Sequence, residues 1–83
     1  MTDRELLELA AKACGLEKAK MRIEFNQWNP LEDDGDALLV MVKLGIDIAK
    51  AQVDYWDKHS NDPYAATRRA IVRAAAEIGR NMK

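Results

Sequence analysis

The sequence has one cysteine and one histidine among its 83 residues, which limits the chemistry it can carry. Cys14 alone cannot form an internal disulfide, so the chain must fold without one. His59 lies in a polar segment and Cys14 in a predicted helix, and no nucleophile–histidine–acid set or glycine-rich phosphate loop is recognisable. We therefore expect a protein that is not an enzyme, with no catalytic, metal-binding or cofactor-binding residue.

Long apolar runs are also absent. The longest, residues 37–42, is far shorter than the roughly 20 residues that span a bilayer. No cationic start followed by an apolar core opens the chain, so no secretory leader is predicted. Together with the single cysteine, this indicates a cytoplasmic protein without membrane contact.

The composition is that of a folded protein, with 48% hydrophobic and 33% charged residues. A chain this short holds one hydrophobic core, so we predict a single domain over residues 1–83. The charge is unevenly distributed: residues 1–62 carry 8 basic and 13 acidic side chains, whereas residues 63–83 carry 5 basic residues and Glu77 alone. An acidic body with a basic C-terminal helix favours self-complementarity or an anionic partner.

Three segments have the periodicity and end signals of helices. The first begins at a capping box formed by Thr2 and Glu5 and ends at Gly15. The second starts in the acidic stretch 32–36 and ends at Gly45. The third begins with Asp62 as N-cap and runs from residue 63 to about residue 80. Its predicted buried stripe consists of Tyr64, Ile71, Ala75, Ile78 and Met82.

Two segments alternate apolar and polar residues as strands do. Met21, Ile23 and Phe25 alternate with polar neighbours, and residues 46–55 show the same period with a slip near Ala49. The slip is typical of a bulge or of two short strands meeting at a bend. The predicted fold class is therefore α+β: a small α-β-α-β-α sandwich in which a short two- or three-stranded sheet packs against three helices.

Two stretches carry a resemblance to a known family. Residues 28–38 (WNPLEDDGDAL) and 62–79 (DPYAATRRAIVRAAAEIG), with the first helix, resemble the phage ABA sandwich domain found in phages and prophages. The resemblance implies a small sheet packed between helices and a phage or prophage origin, with the host cytoplasm as location. The family has no agreed activity, so the resemblance transfers no catalytic residue.

Arg68 falls within the apolar stripe of the third helix, where a charge needs a partner. We expect a forked contact to one carboxylate of residues 32–36, which include Asp33, Asp34 and Asp36, and this contact would tie the helix to the start of the second. The alternative is a side chain that extends to the surface, and we favour both over a binding function. The same acidic residues lack the spacing of a calcium loop. Helix capping explains them without a metal.

Two binding functions remain. The apolar arc of the second helix is wide, about 200°, and Leu39 lies outside it, so this helix is either the most enclosed element or touches a partner as well. The arc consists of Ala37, Leu38, Val40, Met41, Val42 and Leu44. The leading hypothesis is a noncatalytic protein-interaction module whose partner is an unknown protein, including a second copy, with contacts from Leu39, Lys43, Trp28 and Trp56. The alternative is a nucleic-acid-binding or regulatory module that grips phosphates through Arg69, Arg73 and Arg80.

Overall fold

The computed structural model of the chain describes residues 2–56 and 61–82, and these residues form five helices. They are α1 (Asp3–Cys14), α2 (Ala19–Glu24), α3 (Asp34–Leu44), α4 (Ile48–Tyr55) and α5 (Pro63–Arg80). Neither described range contains a strand. The predicted α+β sandwich with a two- or three-stranded sheet is therefore wrong, and the described architecture is all-helical.

The ends of α1, α3 and α5 lie where their end signals predict. The Thr2 hydroxyl accepts the Glu5 backbone N–H while the Glu5 carboxylate reaches back to Thr2, which confirms the capping box. Asp62 accepts two backbone N–H groups at the start of α5. Gly15 and Gly45 both adopt the left-handed conformation that ends a helix at little steric cost. These signals act over two to four residues, so the surrounding fold does not alter them.

The segment predicted as the first strand is the short helix α2. Only Ile23 of its three alternating apolar residues packs against the core, while Met21 and Phe25 are exposed. Alanine, lysine, arginine and methionine favour a helix in this segment. No strand among the described residues lies beside this segment, so no hydrogen bonds between strands outweigh its preference for a helix. Alternation over five residues favours a strand, but here the helix preference of the segment outweighs it.

The second predicted strand region, residues 46–55, is mostly the helix α4. Asp47 caps it by accepting the backbone N–H groups of Ala49 and Lys50. Ile48 and Ala51, three residues apart, point inward, and Ala51 is buried. The change of phase near Ala49 is therefore the helical repeat itself and not a bulge or a bend between strands.

Replacing Asp47 with alanine should destabilise the protein by about 1 kcal/mol, because α4 would lose the acceptor for two backbone N–H groups. Equilibrium unfolding in urea measures this loss. Asp54→Ala, on the exposed side of the same helix, is the matched control and should change the free energy of unfolding by less than about 0.5 kcal/mol. Equal effects of the two substitutions would contradict the capping role.

The core is built mainly from the inward faces of α1, α3 and α5. Its buried residues are Leu6, Leu7, Ala10, Ala11, Trp28, Ala37, Val40, Ile71, Val72, Ala75 and Ala76. The stripe predicted for α5 is partly wrong: Ile71 and Ala75 are buried, but Tyr64, Ile78 and Met82 are exposed. The inward face of α5 instead combines alanines with Ile71, Val72 and Gly79.

α5 packs most extensively against α1, and it also contacts α3 and α4. The two long helices run in the same general direction, since Asp3 pairs with Arg69 while Lys12 donates to the carbonyl of Met82. Their buried contact faces are rich in alanine, and Gly79 allows the backbones to approach closely. Small residues set the short distance between these two helices.

No helix in the described ranges is long and apolar enough to cross a membrane. His59, which the sequence places in a polar segment, lies outside the described residues.

Candidate functional site

α3 carries two stripes of apolar or small residues on opposite sides, each with the spacing i, i+3, i+4, i+7. The inner stripe consists of Ala37, Val40, Met41 and Leu44, all of which belong to or pack against the core. The outer stripe consists of Gly35, Leu38, Leu39 and Val42. The two stripes differ by a shift of two residues, which is about 200° around the helix.

The outer stripe faces solvent. Leu38 is 54% exposed, Leu39 67% and Val42 69%. Of the two alternatives for α3, that it is the most enclosed element is therefore wrong, because only its inner stripe belongs to or packs against the core. Single exposed leucines are common on protein surfaces. Three adjacent large apolar side chains on one helix face form a continuous patch, the kind of surface that proteins use for binding.

A groove runs along each side of the outer stripe. The α5-side groove is mainly apolar and includes Leu38, Met41, Ile48, Tyr64 and Ile71, with the Arg68–Asp34 pair in its wall. The α2-side groove is mixed in character. It includes Trp28, Asp36, Leu39, Val42 and Lys43, together with Arg22 from α2. The outer stripe is thus a ridge between two depressions.

The four predicted partner-binding residues occupy different places. Leu39 and Lys43 are exposed and share the α2-side groove. Trp28 is only 8% exposed and belongs to the core. Only a small part of its side chain is therefore accessible to a partner in the α2-side groove. Trp56 is partly exposed at the end of α4 and lines neither groove. The structure brings together only Leu39 and Lys43, above Trp28.

The acidic residues at the start of α3 have separate structural contacts. Asp33 caps the helix by accepting the Asp36 backbone N–H, and Asp36 accepts the Asn29 backbone N–H at 2.9 Å. Asp34 forms an ion pair with Arg68, whose Nη1 lies 2.6 Å from its Oδ1. Among the three predicted carboxylates, only Asp34 contacts Arg68.

The Arg68 guanidinium contacts two acceptors, but they are not the two oxygens of one carboxylate. Its Nη1 reaches Asp34, while its Nε donates to the backbone carbonyl oxygen of Leu31 at 2.9 Å. The predicted fork onto a single carboxylate is therefore divided between a side chain and the backbone. The contact joins α5 to the segment that enters α3.

The three arginines predicted to bind phosphate are not equally available. Arg69 pairs with Asp3 at 2.5 Å, and Arg80 lies 3.7 Å from Glu77. Arg73 lines a small cleft beside Tyr55 and Glu77, without a hydrogen bond or ion pair to any described residue. Carboxylates thus neutralise part of the predicted basic face.

The described residues show no group of three histidine, cysteine, aspartate or glutamate side chains arranged to hold a metal ion. Cys14 is half-buried beside the α2-side groove. Burial raises the pKa of its thiol above the usual value, and the nearby Lys43 ammonium partly offsets this rise. The thiol is therefore less nucleophilic than a free cysteine at neutral pH.

Sequence reasoning did not single out Leu38 and Val42, which it placed within the wide apolar arc of α3, or Tyr64, which it assigned to the buried face of α5. The available signal was the second i, i+3, i+4, i+7 pattern between residues 35 and 42. That pattern reveals two stripes but does not indicate which of them the core covers.

Comparisons with protein-family models, with curated proteins and with solved structures find no match to this chain.

Proposed function

We propose that this chain is a noncatalytic protein-interaction module that binds its partner through the outer stripe of α3. The observation that carries the proposal is the exposure of Leu38, Leu39 and Val42, which their helical spacing places side by side on one face of α3. Fully burying one such side chain is worth roughly 1.5–3 kcal/mol. Covering all three, even though each is already partly shielded, supplies a substantial share of the free energy of a protein contact.

The surroundings of the stripe suit a protein partner better than a nucleic acid. The apolar residues form a ridge, and the adjoining α5-side groove offers Met41, Ile48 and Tyr64 to incoming side chains. Interfaces of this kind have an apolar centre and a polar rim. Here the rim includes Asp36 and Lys43.

The basic face of α5 supports the nucleic-acid alternative less well. Arg69 and Arg80 already contact carboxylates, so binding phosphate there would require breaking or sharing those pairs. Arg73 alone would neutralise one phosphate, and affinity for a nucleic acid grows with the number of phosphates contacted.

A phage or prophage origin stays a prediction that depends on the resemblance of residues 28–38 and 62–79 alone. We likewise propose the host cytoplasm as the location. The support for it is a single cysteine whose half-buried thiol needs no oxidising compartment.

Site-specific photo-crosslinking in cells that express the chain tests this function. A photoreactive amino acid in place of Leu39 should give one discrete protein adduct. The same group in place of Val53, which is 83% exposed on α4, should give none. Val53 is the matched control because it is also apolar and exposed but lies outside both grooves.

A further substitution on the stripe shows whether the adduct depends on it. Val42→Glu should abolish the adduct formed at position 39 and leave the far-ultraviolet circular dichroism unchanged, because Val42 is exposed. No adduct at position 39, or equal labelling from positions 39 and 53, would remove the proposed function.

A further inference from the structure

The outer stripe is bordered by opposite charges at its two ends. Asp36 lies at the start of α3 and Lys43 at its end, and both line the α2-side groove together with Leu39 and Val42. They are seven residues apart, so they project from the same side of the helix. One side of the stripe is therefore acidic at its N-terminal end and basic at its C-terminal end.

Both charges are available for a new contact. The Asp36 carboxylate uses Oδ2 to accept the Asn29 backbone N–H, and its other oxygen accepts no hydrogen bond from the described residues. Lys43 is exposed and forms no ion pair within the described part of the chain. Neither charge would have to give up a salt bridge to meet a partner.

We propose that the outer stripe binds a second copy of this chain, with the two α3 helices antiparallel about a twofold axis. This inference rests on the proposed function, because it names the partner of the same surface. An axis between Leu38 and Leu39 sets Leu38 against the partner's Leu39 and Gly35 against the partner's Val42. The contact is self-complementary, as a twofold interface must be.

The twofold axis also pairs the charges. It reverses the direction of the helix, but the side of the stripe that carries Asp36 and Lys43 in one copy lies next to the same side in the other copy. Lys43 therefore lies near the partner's Asp36, and Asp36 lies near the partner's Lys43. A parallel twofold arrangement would instead place the charges of the two copies on opposite sides of the contact, each level with the like charge of the partner, so that neither ion pair could form. The antiparallel helix dipoles add to the same preference.

The shape of the surface fits this arrangement. Gly35 has no side chain, so the partner's Val42 can lie over it. The grooves on either side of the ridge can receive side chains from the ridge of the other copy, as in packing of ridges into grooves. Tyr64, exposed in the wall of the α5-side groove, extends the apolar area beyond α3.

The size of the surface sets the expected affinity. The 11 residues of α3 span about 16 Å, and a standard interface buries about 800 Å² per partner out of the 5513 Å² that this chain exposes. The outer stripe supplies only the centre of such an area. We therefore expect a reversible dimer with a dissociation constant in the range of about 1–100 μM.

Sedimentation equilibrium across concentrations above and below this range measures the association. The mass should rise from 9.4 kDa toward twice that value. Leu39→Glu should weaken the dimer by about 100-fold or more, since two buried leucines become carboxylates. Lys43→Glu should weaken it by about 10-fold, because both ion pairs become like-charge contacts. Val53→Glu, the matched control on α4, should leave the dimer unchanged.

Disulfide trapping tests the orientation, with Cys14→Ala as the background so that the introduced cysteine is the sole thiol. Leu39→Cys should form a disulfide dimer readily, because the two copies of position 39 lie next to the axis. Lys43→Cys should not, because antiparallel helices separate the two copies of position 43 by about 13 Å along the helix. Disulfides need a Cα–Cα distance below about 7 Å.

The outcomes separate this inference from the proposed function. A monomer at every concentration overturns self-pairing, whereas a photo-adduct at position 39 with a mass other than twice that of the chain would keep the proposed function. Equal trapping at positions 39 and 43 would overturn the antiparallel arrangement. A dimer that Leu39→Glu does not weaken would show that another surface is responsible and would overturn the inference.

Discussion

Replacing Gly79 with alanine should destabilise the protein by about 3 kcal/mol, although alanine is the better helix former. Gly79 lies within α5 where that helix crosses α1. A Cβ at this position would overlap the backbone carbonyl oxygen of Leu9 and lie 2.8 Å from its carbonyl carbon. Backbone atoms cannot rotate away as a side chain can, so the two helices would have to separate.

The clash reverses the sign of the stability change that glycine to alanine usually causes in a helix. Without the clash, glycine to alanine in a helix stabilises by up to about 1 kcal/mol. With the clash, the melting temperature should fall by at least about 10 °C, given that 1 kcal/mol shifts a domain of this size by about 4–8 °C. Gly79→Val should be worse still, because it adds more atoms at the same crossing.

Ile78→Ala is the matched control for Gly79→Ala. Ile78 is the neighbouring residue and is exposed, so its truncation removes atoms without changing the distance between the helices. We expect a cost of about 1 kcal/mol or less, measured by thermal and urea unfolding. A Gly79→Ala variant at least as stable as the parent would show that the close crossing of α1 and α5 is absent.

Replacing Arg68 with methionine should cost about 2–3 kcal/mol. Methionine keeps much of the apolar stem but removes the donors to the Leu31 carbonyl oxygen and to Asp34. Asp34 is exposed, with 77% of its side chain accessible, so solvent screens that pair and its own contribution is modest. Most of the loss comes from the half-buried carbonyl of Leu31, which would lack a donor.

Arg68→Lys separates geometry from charge. A lysine ammonium keeps the positive charge but lacks the planar fork that reaches a carbonyl and a carboxylate at once. We expect this variant to recover less than half of the loss in urea unfolding. Arg4→Met is the matched control: its pair with Glu8 lies on the surface of α1, so the cost should stay below about 0.5 kcal/mol. Equal losses for Arg4→Met and Arg68→Met would contradict the role of Arg68.

The sequence predicted the three longer helices because their signals are local. Thr2 with Glu5, Asp62 with Pro63, and Gly45 each act through backbone groups a few residues away. The helices α2 and α4 were mistaken for strands. Short runs such as Met21 to Phe25 are consistent with the two-residue period of a strand and with the 3.6-residue period of a helix. A strand also needs a neighbouring strand to accept its backbone hydrogen bonds.

The candidate site was only partly predictable. The sequence singled out Leu39 as an apolar residue outside the main arc of α3, and the structure leaves it exposed. It did not identify Leu38 and Val42, because the two stripes of α3 have the same spacing. Trp28 was predicted to contact a partner because it is an aromatic residue in a loop, and the structure places most of its side chain in the core.

The sequence by itself determined where the longer helices begin and end, that Arg68 needs a partner, and that α3 has more apolar surface than one contact requires. Only the tertiary structure decided which stripe of α3 is covered. That choice depends on residues far apart in the chain: α1 and α5 approach closely through alanines and Gly79, and the space they leave accommodates Ala37 and Val40. The outer stripe is exposed because no further helix of the described chain reaches it.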